Sequence, residues 1–143
     1  MPAPRPHPVL LYDGECGLCN ACVRLLLRID ERGVLRFAPL QSAPAQAYLR
    51  AQGLPTEDFD TLVFVRDWAQ PSPGGYLVRT DGVLAACAAA GGWGRELANL
   101  RVLPRALRDA AYKVVARLRY ALFGVYRPRP LPRPEWAARF LAR

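Results

Sequence analysis

Two cysteines lie close together at a point where the chain changes from a strand pattern to a helix pattern. Cys16 and Cys19 follow residues 9–12, an apolar run that predicts a short buried strand, and Asp13 begins the turn that ends it. From Leu18 onward the apolar residues recur with the period of a helix that buries one face. Two sulfurs at a helix start can close a small disulfide ring, and the N-terminal end of a helix favours a thiolate. The spacing therefore predicts a redox-active dithiol.

The two cysteines and the aspartate of this stretch have distinct predicted roles. Cys16 is predicted to be the accessible nucleophile, because backbone N–H groups point outward at a helix start and Gly17 leaves room for an approaching sulfur. Cys19, deeper in the helix, would resolve the mixed disulfide. Asp13 could relay a proton for the resolving cysteine as general base or acid, or it could simply end the strand and cap the turn.

The two remaining cysteines, Cys22 and Cys87, are predicted to be structural residues. Cys22 falls on the predicted buried face of this helix and is predicted to be a core residue, and Cys87, in an Ala-rich helix, is predicted to be another small buried residue. The alternative is an iron–sulfur or other metal site formed by Cys16, Cys19 and Cys22, but such ligation wraps a loop around the cluster, whereas here the helix continues. The predicted apolar face comprises Leu18, Cys22, Leu25, Leu26 and Ile29.

Strand and helix patterns alternate along the first ninety residues. Their order, β-α-β-α-β-β-α, predicts an α/β fold with the layout of a thioredoxin-like unit and a mixed four-stranded sheet. Asp13 and the dithiol would then lie at the end of the first strand. The predicted strands cover 9–12, 34–38, 61–66 and 76–79, and the predicted helices cover 16–30, 43–52 and about 80–90.

The last third of the chain is predicted to be a helical extension with a basic tail. A short helix at 96–102 precedes a longer one at 104–124, and an Arg/Pro run at 127–134 cannot be helical. We therefore expect residues 1–103 to form the redox unit and residues 104–143 to pack on it within one domain. Truncation after Val102 should unfold the domain, whereas truncation after Tyr126 should leave folding and dithiol chemistry intact. The longer helix should pack through Leu107, Ala111, Val114, Leu118 and Leu122.

Composition and charge restrict the class of protein. The chain has 143 residues and 52% hydrophobic content, which suits one globular domain. Residues 1–100 carry nine arginines against ten acids, and residues 101–143 carry eleven basic residues against two acids. This basic third suits an anionic partner surface or solubility, and it does not by itself indicate nucleic-acid binding.

Nothing in the sequence resembles a secretory signal or a membrane span. The longest apolar run, residues 83–90, is far shorter than the ~20 residues that a spanning helix needs. We therefore expect a cytoplasmic location, where a C-x-x-C pair is more often catalytic or metal-binding than a permanent structural bridge.

The same residues carry a family resemblance. Asp13-x-x-Cys16-x-x-Cys19, within Tyr-Asp-Gly-Glu-Cys-Gly-Leu-Cys-Asn, resembles the signature of the DCC family of thiol–disulfide oxidoreductases, named after its Asp-Cys-Cys pattern and regarded as thioredoxin-like. The resemblance spans about residues 9–124. It continues in Phe37-Ala38-Pro39-Leu40-Gln41-Ser42, Asp109-x-x-Tyr112 and Arg119-Tyr120-x-x-Phe123-Gly124.

The resemblance implies an enzyme of bacterial type that reduces protein disulfides or exchanges them with small thiols. It implies catalysis by Cys16, Cys19 and Asp13, with no metal or organic cofactor. Glutathione-dependent relatives of the fold often hold the γ-glutamyl end of glutathione at the start of the third helix, here Thr80-Asp81. Plain helix capping explains that pair equally well.

Two further hypotheses concern the C-terminal third of the chain. Arg119 belongs to the family-like C-terminal block and is a third candidate for substrate binding, although a solvated helix face is the simpler interpretation. Besides the metal-binding alternative, the chain could be a non-enzymatic module that docks through its basic C-terminal third.

Overall fold

The computed structural model describes residues 8–30, 32–57, 62–69, 73–91, 93–123 and 134–141. The elements up to Ala90 follow the predicted order β-α-β-α-β-β-α. Two 3-10 helices, Asn99–Val102 and Pro134–Arg139, flank the last long helix. The other elements are β1 (Val9–Tyr12), α1 (Gly17–Ile29), β2 (Arg36–Pro39), α2 (Ala43–Gln52), β3 (Val63–Val65), β4 (Tyr76–Val78), α3 (Arg79–Ala90), α4 (Trp93–Ala98) and α5 (Arg105–Phe123).

The four strands form one mixed sheet in the order β2-β1-β3-β4. β1 runs parallel to β2 and antiparallel to β3, and β4 runs antiparallel to β3. The predicted thioredoxin-like α/β fold is therefore confirmed. Because Tyr12 pairs with Pro39 at the carboxyl ends of two parallel strands, the segments that follow β1 and β2 lie side by side. This juxtaposition builds the site.

Alternating side chains of β1 fill the two cores on opposite faces of the sheet. Leu10 and Tyr12 belong to a cluster with residues of α1 and α3. Val9 and Leu11 belong to a second cluster with residues of α2. Each fully buried aliphatic side chain contributes about 1.5–3 kcal/mol to folding, so β1 is held firmly from both sides.

Asp30 makes the second strand begin later than predicted. Its carboxylate accepts the Val34 N–H at 3.1 Å and the Leu35 N–H at 2.7 Å. These two donors are thereby taken from the strand ladder, so β2 begins at Arg36 rather than at residue 34.

The predicted buried face of α1 is only partly correct: Leu26 is buried and Ile29 packs against the core, but the other three members do not lie in the core. The buried side chains of α1 are Asn20, Val23, Leu26 and Leu27, whereas Leu25 is 51% exposed. Leu18 and Cys22 face a cavity instead of the sheet core. The helix carries two apolar stripes that share Leu26, and the stripe continuing from Cys16 packs on the sheet.

The predicted packing of α5 is wrong. Leu107, Val114 and Leu118 are exposed to between 45% and 58% of their surface, and Ala111 is exposed as well. Polar residues attach the helix instead, among them Asp109, which accepts a hydrogen bond from Thr80 Oγ1 at 3.2 Å. The side chain of Leu122 lies outside the described part of the structure. None of the described helices is long and apolar enough to cross a membrane.

The last described segment, residues 134–141, is an integral part of the fold. Trp136 is buried in the core cluster that contains Tyr12 and Phe37. Phe140 packs on Phe37 with ring centroids 5.6 Å apart, and the Leu141 N–H donates to the Phe37 carbonyl at 2.8 Å. This C-terminal clip therefore covers the edge of β2.

An ion pair fastens the C-terminal clip to the end of α1. Arg139 pairs with Asp30, whose side chain is fully buried. The Nε of Arg139 also donates to the Leu35 carbonyl at 3.3 Å. Removing one partner of such a pair leaves an uncompensated buried charge, at a cost of about 3–5 kcal/mol. Because of these contacts we now expect truncation after Tyr126 to destabilise the fold, contrary to the expectation from sequence. The Arg/Pro run itself lies outside the described residues.

Loss of the C-terminal clip should destabilise the whole domain. We expect Trp136→Ala to lower the free energy of unfolding by about 3–5 kcal/mol, because it leaves a cavity in the core. Truncation after Tyr126 should lower it at least as much. Urea denaturation followed by circular dichroism measures both, with the exposed-site variant Ala138→Ser as control. A truncated chain with the denaturation midpoint of the full chain would contradict this account.

Candidate dithiol site

The turn between β1 and α1 buries its two end residues, Asp13 and Cys16, and holds Cys16 at the start of the helix. Cys16 is the N-cap residue of α1, and its N–H donates to the Asp13 carbonyl at 3.2 Å. The Asp13 carboxylate accepts the Glu15 N–H through Oδ1 at 3.0 Å, and Asp13 is only 4% exposed. Asp13 therefore fixes the turn from within, as the capping interpretation of this residue expects.

Gln41, which follows β2, joins the turn from the neighbouring strand. Its Nε2 donates to Asp13 Oδ1 at 2.8 Å, and its Oε1 accepts the Gly14 N–H at 3.0 Å. One amide thus satisfies a donor and an acceptor of the same turn. Gly14 suits this approach, because a Cβ there would lie 3.0 Å from Pro39 Cβ and 3.2 Å from Gln41 Oε1, both tight contacts.

Asn20 supports the turn from the helix side. Its Nδ2 donates to the Gly14 carbonyl at 3.0 Å and to the Cys16 carbonyl at 2.9 Å, and the side chain is buried. Sequence reasoning missed both Asn20 and Gln41 as site residues. The available signal was their position: Asn20 directly follows Cys19, and Gln41 lies in the family-like block after β2.

The two thiols of the pair differ in their access to solvent. None of the four cysteines forms a disulfide. Cys16 has 0% exposed surface, whereas Cys19 is half-buried and lies in the wall of an open cavity. The expectation that Cys16 is the accessible thiol is therefore wrong for this structure, because the buried turn and the packed face of α1 enclose it.

The cavity lies between α1, α3 and α5 and has a volume of about 470 Å³. Cys19 and Cys22 both contribute to its wall. Two of the three thiols of the C-x-x-C-x-x-C run are therefore reached from the same space. The remaining lining residues are Leu18, Leu62, Thr80, Val83, Leu84, Leu100, Leu103, Leu107, Arg108, Ala111, Tyr112 and Val115.

Cys22 is not the core residue that the sequence predicted. It retains exposed surface, yet its apolar surroundings withdraw the thiol from water. This burial raises the pKa of Cys22, and electrostatic interactions with Cys87 and then Cys16 raise it further. Burial also raises the pKa of Cys87, which is a buried core residue as predicted. Both groups therefore favour the neutral thiol.

Two of the remaining candidates from the sequence, Thr80 and Asp81, lie at the junction of α3 and α5. Neither Thr80 nor Asp81 caps α3 with its side chain, because the helix begins at Arg79. Asp81 pairs with Arg108 at 3.0 Å and with Arg105 at 2.8 Å. Thr80 lines the cavity, and Arg119 belongs to α5 with its side chain outside the described part.

The cysteines do not assemble into a recognisable metal centre. Within the described ranges, no group of three or more His, Cys, Asp or Glu side chains has an arrangement that could hold a metal ion. All three cysteines of the C-x-x-C-x-x-C run belong to those ranges.

These features define a class of protein: a thioredoxin-like α/β domain with a cysteine pair at the start of the helix that follows its central strand. The chain belongs to the DCC1-like thiol-disulfide oxidoreductase family, whose model matches residues 10–125. The resemblance noted in the sequence is thereby confirmed.

Two relatives show how far the similarity extends. The chain is 35% identical over 136 residues to the uncharacterized protein YuxK of Bacillus subtilis (strain 168), with 95% of each chain covered. It is 30% identical over 119 residues to a chloroplastic DCC family protein of Arabidopsis thaliana, covering 82% of this chain and 66% of that protein. No solved structure matches the chain significantly.

The raised pKa of Cys22 makes a prediction about labelling. Because the thiolate is the reactive form, iodoacetamide should label Cys22 in the native protein only at a higher pH than it labels an ordinary cysteine. Cys87→Ala should lower that pH, since it removes one cause of the shift. Peptide mass spectrometry quantifies the labelling, and the urea-denatured chain is the control. Identical pH profiles for native and denatured Cys22 would contradict the assignment.

Proposed function

We propose that this protein is a thiol–disulfide oxidoreductase that works through the Cys16–Cys19 pair. The observation that carries the proposal is the fixed turn, which holds two sulfur-bearing residues one helical turn apart, one beneath the surface and one in the wall of an open cavity. Residues three apart at a helix start are neighbours, so the spacing of Cys16 and Cys19 is compatible with a disulfide between them. Membership of the family supports the general activity.

The difference in access suggests the order of attack. A disulfide substrate that enters through the cavity meets Cys19 first, because Cys16 has no exposed surface. We therefore propose Cys19 as the attacking thiol and Cys16 as the resolving thiol, the reverse of the order expected from sequence.

The exchange balances as a two-electron reaction. The Cys19 thiolate attacks one sulfur of the substrate disulfide, the substrate S–S bond breaks, and the first thiol leaves with a proton. Cys16 then attacks the Cys19 sulfur of the mixed disulfide and releases the second thiol. The net result is one protein disulfide and two reduced substrate thiols, with two electrons and two protons transferred from the pair. The reverse direction oxidises a dithiol substrate.

The proposed disulfide can be mapped directly. After mild oxidation, mass spectrometry should find a peptide that contains both Cys16 and Cys19 and has lost two hydrogens. Cys22→Ala is the matched control and should leave this bridge unchanged. A bridge that maps to Cys22 or Cys87 instead would reject the pair.

Single substitutions determine which thiol attacks. With a disulfide substrate, Cys16→Ser should accumulate a mixed disulfide on Cys19, because the resolving thiol is missing. Cys19→Ser should react slowly and accumulate little. Intact-mass measurement over time distinguishes the two variants. Accumulation on Cys16 in Cys19→Ser would restore the order expected from sequence.

The role of Asp13 can be separated into positioning and proton transfer. Asp13→Asn keeps an oxygen that can accept from Glu15 N–H and Gln41 Nε2, but it has no ionisable carboxyl. If Asp13 only positions the turn, Asp13→Asn should retain the disulfide-reduction rate and Asp13→Ala should lose it. If Asp13 also moves a proton, Asp13→Asn should slow the reaction by about 10²–10⁴-fold and change its pH profile.

A further inference from the structure

The cavity beside the dithiol has the size and composition of a small-molecule site. Its volume of about 470 Å³ falls within the range of ~300–1,000 Å³ typical of ligand pockets. Its mouth is bordered by apolar side chains that remain about half exposed, including Leu103, Leu107 and Val115. Such surface gains stability when an apolar molecule covers it.

The polar side chains of the wall already bond to the protein. Arg108 Nη1 donates to Asp81 Oδ1 at 3.0 Å and to Thr80 Oγ1 at 3.3 Å, and Arg108 Nε donates to the Leu103 carbonyl at 3.1 Å. Tyr112 Oη accepts the Leu62 N–H at 3.2 Å. These bonds hold the walls together and already use a large part of the hydrogen-bonding capacity of Arg108 and Tyr112.

This arrangement disfavours charged thiols. Among the described lining residues Arg108 alone is charged, and its charge is balanced by Asp81. Glutathione disulfide carries several carboxylates and ammonium groups, each of which loses hydration on entering an apolar space without a partner. A neutral ligand has no such cost.

We propose that the cavity binds small neutral disulfides with apolar substituents and presents them to Cys19. The inference rests on the proposed function, since the bound disulfide is the substrate of the dithiol. The apolar substituents lie against the leucine and valine side chains of the wall, and the disulfide bond reaches Cys19. The reduced pair supplies both electrons, so the products are two apolar thiols and the Cys16–Cys19 disulfide.

Two adjacent alanines of α5 provide a matched test. Ala110 and Ala111 are both exposed, but only Ala111 lines the cavity. Ala111→Trp should fill the space beside Cys19, whereas Ala110→Trp adds the same side chain outside it. Both are made in the full chain carrying Cys22→Ala, so that the second thiol of the wall does not react with the probe. Equal denaturation midpoints confirm that both variants fold.

The reaction is measured in single turnovers of the reduced protein with dibenzyl disulfide or glutathione disulfide. Each rate constant is divided by that of the same disulfide with free dithiothreitol, which removes the difference in intrinsic reactivity. The normalised rate for dibenzyl disulfide should exceed that for glutathione disulfide by about tenfold or more. Ala111→Trp should lower the dibenzyl disulfide rate by about tenfold, and Ala110→Trp should not change it.

A non-reactive analogue tests binding without substitution. Bibenzyl, which replaces the disulfide with two carbons, should slow the reaction of dibenzyl disulfide competitively and should not do so in Ala111→Trp. Equal normalised rates for the two disulfides, or equal effects of the two tryptophans, would overturn the cavity proposal while leaving the dithiol function intact. Failure of both disulfides to oxidise Cys16 and Cys19 would instead reject the proposed function.

Discussion

The turn between β1 and α1 depends on side chains of other segments, because its two end residues are buried and their polar atoms need partners inside the protein. Asp13 and Cys16 have almost no solvent access, so each unpaired N–H or carbonyl there would cost about 1–3 kcal/mol. The Gln41 amide and the Asn20 amide supply four of the required hydrogen bonds. The position of the cysteine pair therefore depends on side chains from two other segments, and the parallel pairing of β1 with β2 brings Gln41 within reach.

The attachment of α5 explains why a cavity lies next to the pair. Arg105, Arg108 and Asp109 bind the start of α3 through ion pairs and hydrogen bonds. Because these polar contacts hold the helix, its apolar side chains are left to line the space in front of α1 or to face solvent. A helix packed through leucines would have filled that space. In this structure the polar residues fix the geometry and the apolar residues provide the binding surface.

The sequence was sufficient for the order of elements, the mixed sheet and the location of the C-x-x-C pair, because these follow from short-range periodicity and spacing. It was insufficient for the buried face of α1, since the helix carries apolar residues on two stripes and the stripe that packs on the sheet includes the polar Asn20. Periodicity cannot tell which of two apolar stripes meets the sheet. Periodicity likewise predicts a packed stripe on α5, whereas Leu107, Val114 and Leu118 are exposed because polar contacts hold the helix.

Long-range polar contacts account for the other differences. The local pattern indicates only that Asp30 ends a helix. In the structure its carboxylate accepts hydrogen bonds from two N–H groups of the predicted strand and pairs with Arg139, more than one hundred residues away. Nothing in the local pattern of the C-terminal segment indicates such a partner. Gln41 and Asn20 were likewise invisible, because amide side chains are common on surfaces and their function here depends on a turn that only tertiary structure brings close.

An equilibrium redox titration tests the central claim most directly. The protein is equilibrated in dithiothreitol buffers of graded potential, and the Cys16–Cys19 disulfide is quantified by mass spectrometry after acid quenching. The account predicts one two-electron transition, with a tenfold change in the oxidised-to-reduced ratio per ~30 mV. That transition should persist in the Cys22→Ala/Cys87→Ala double variant and disappear in Cys19→Ala. A transition that survives in Cys19→Ala, or that requires Cys22 or Cys87, would contradict the assignment of Cys16 and Cys19 as the working pair.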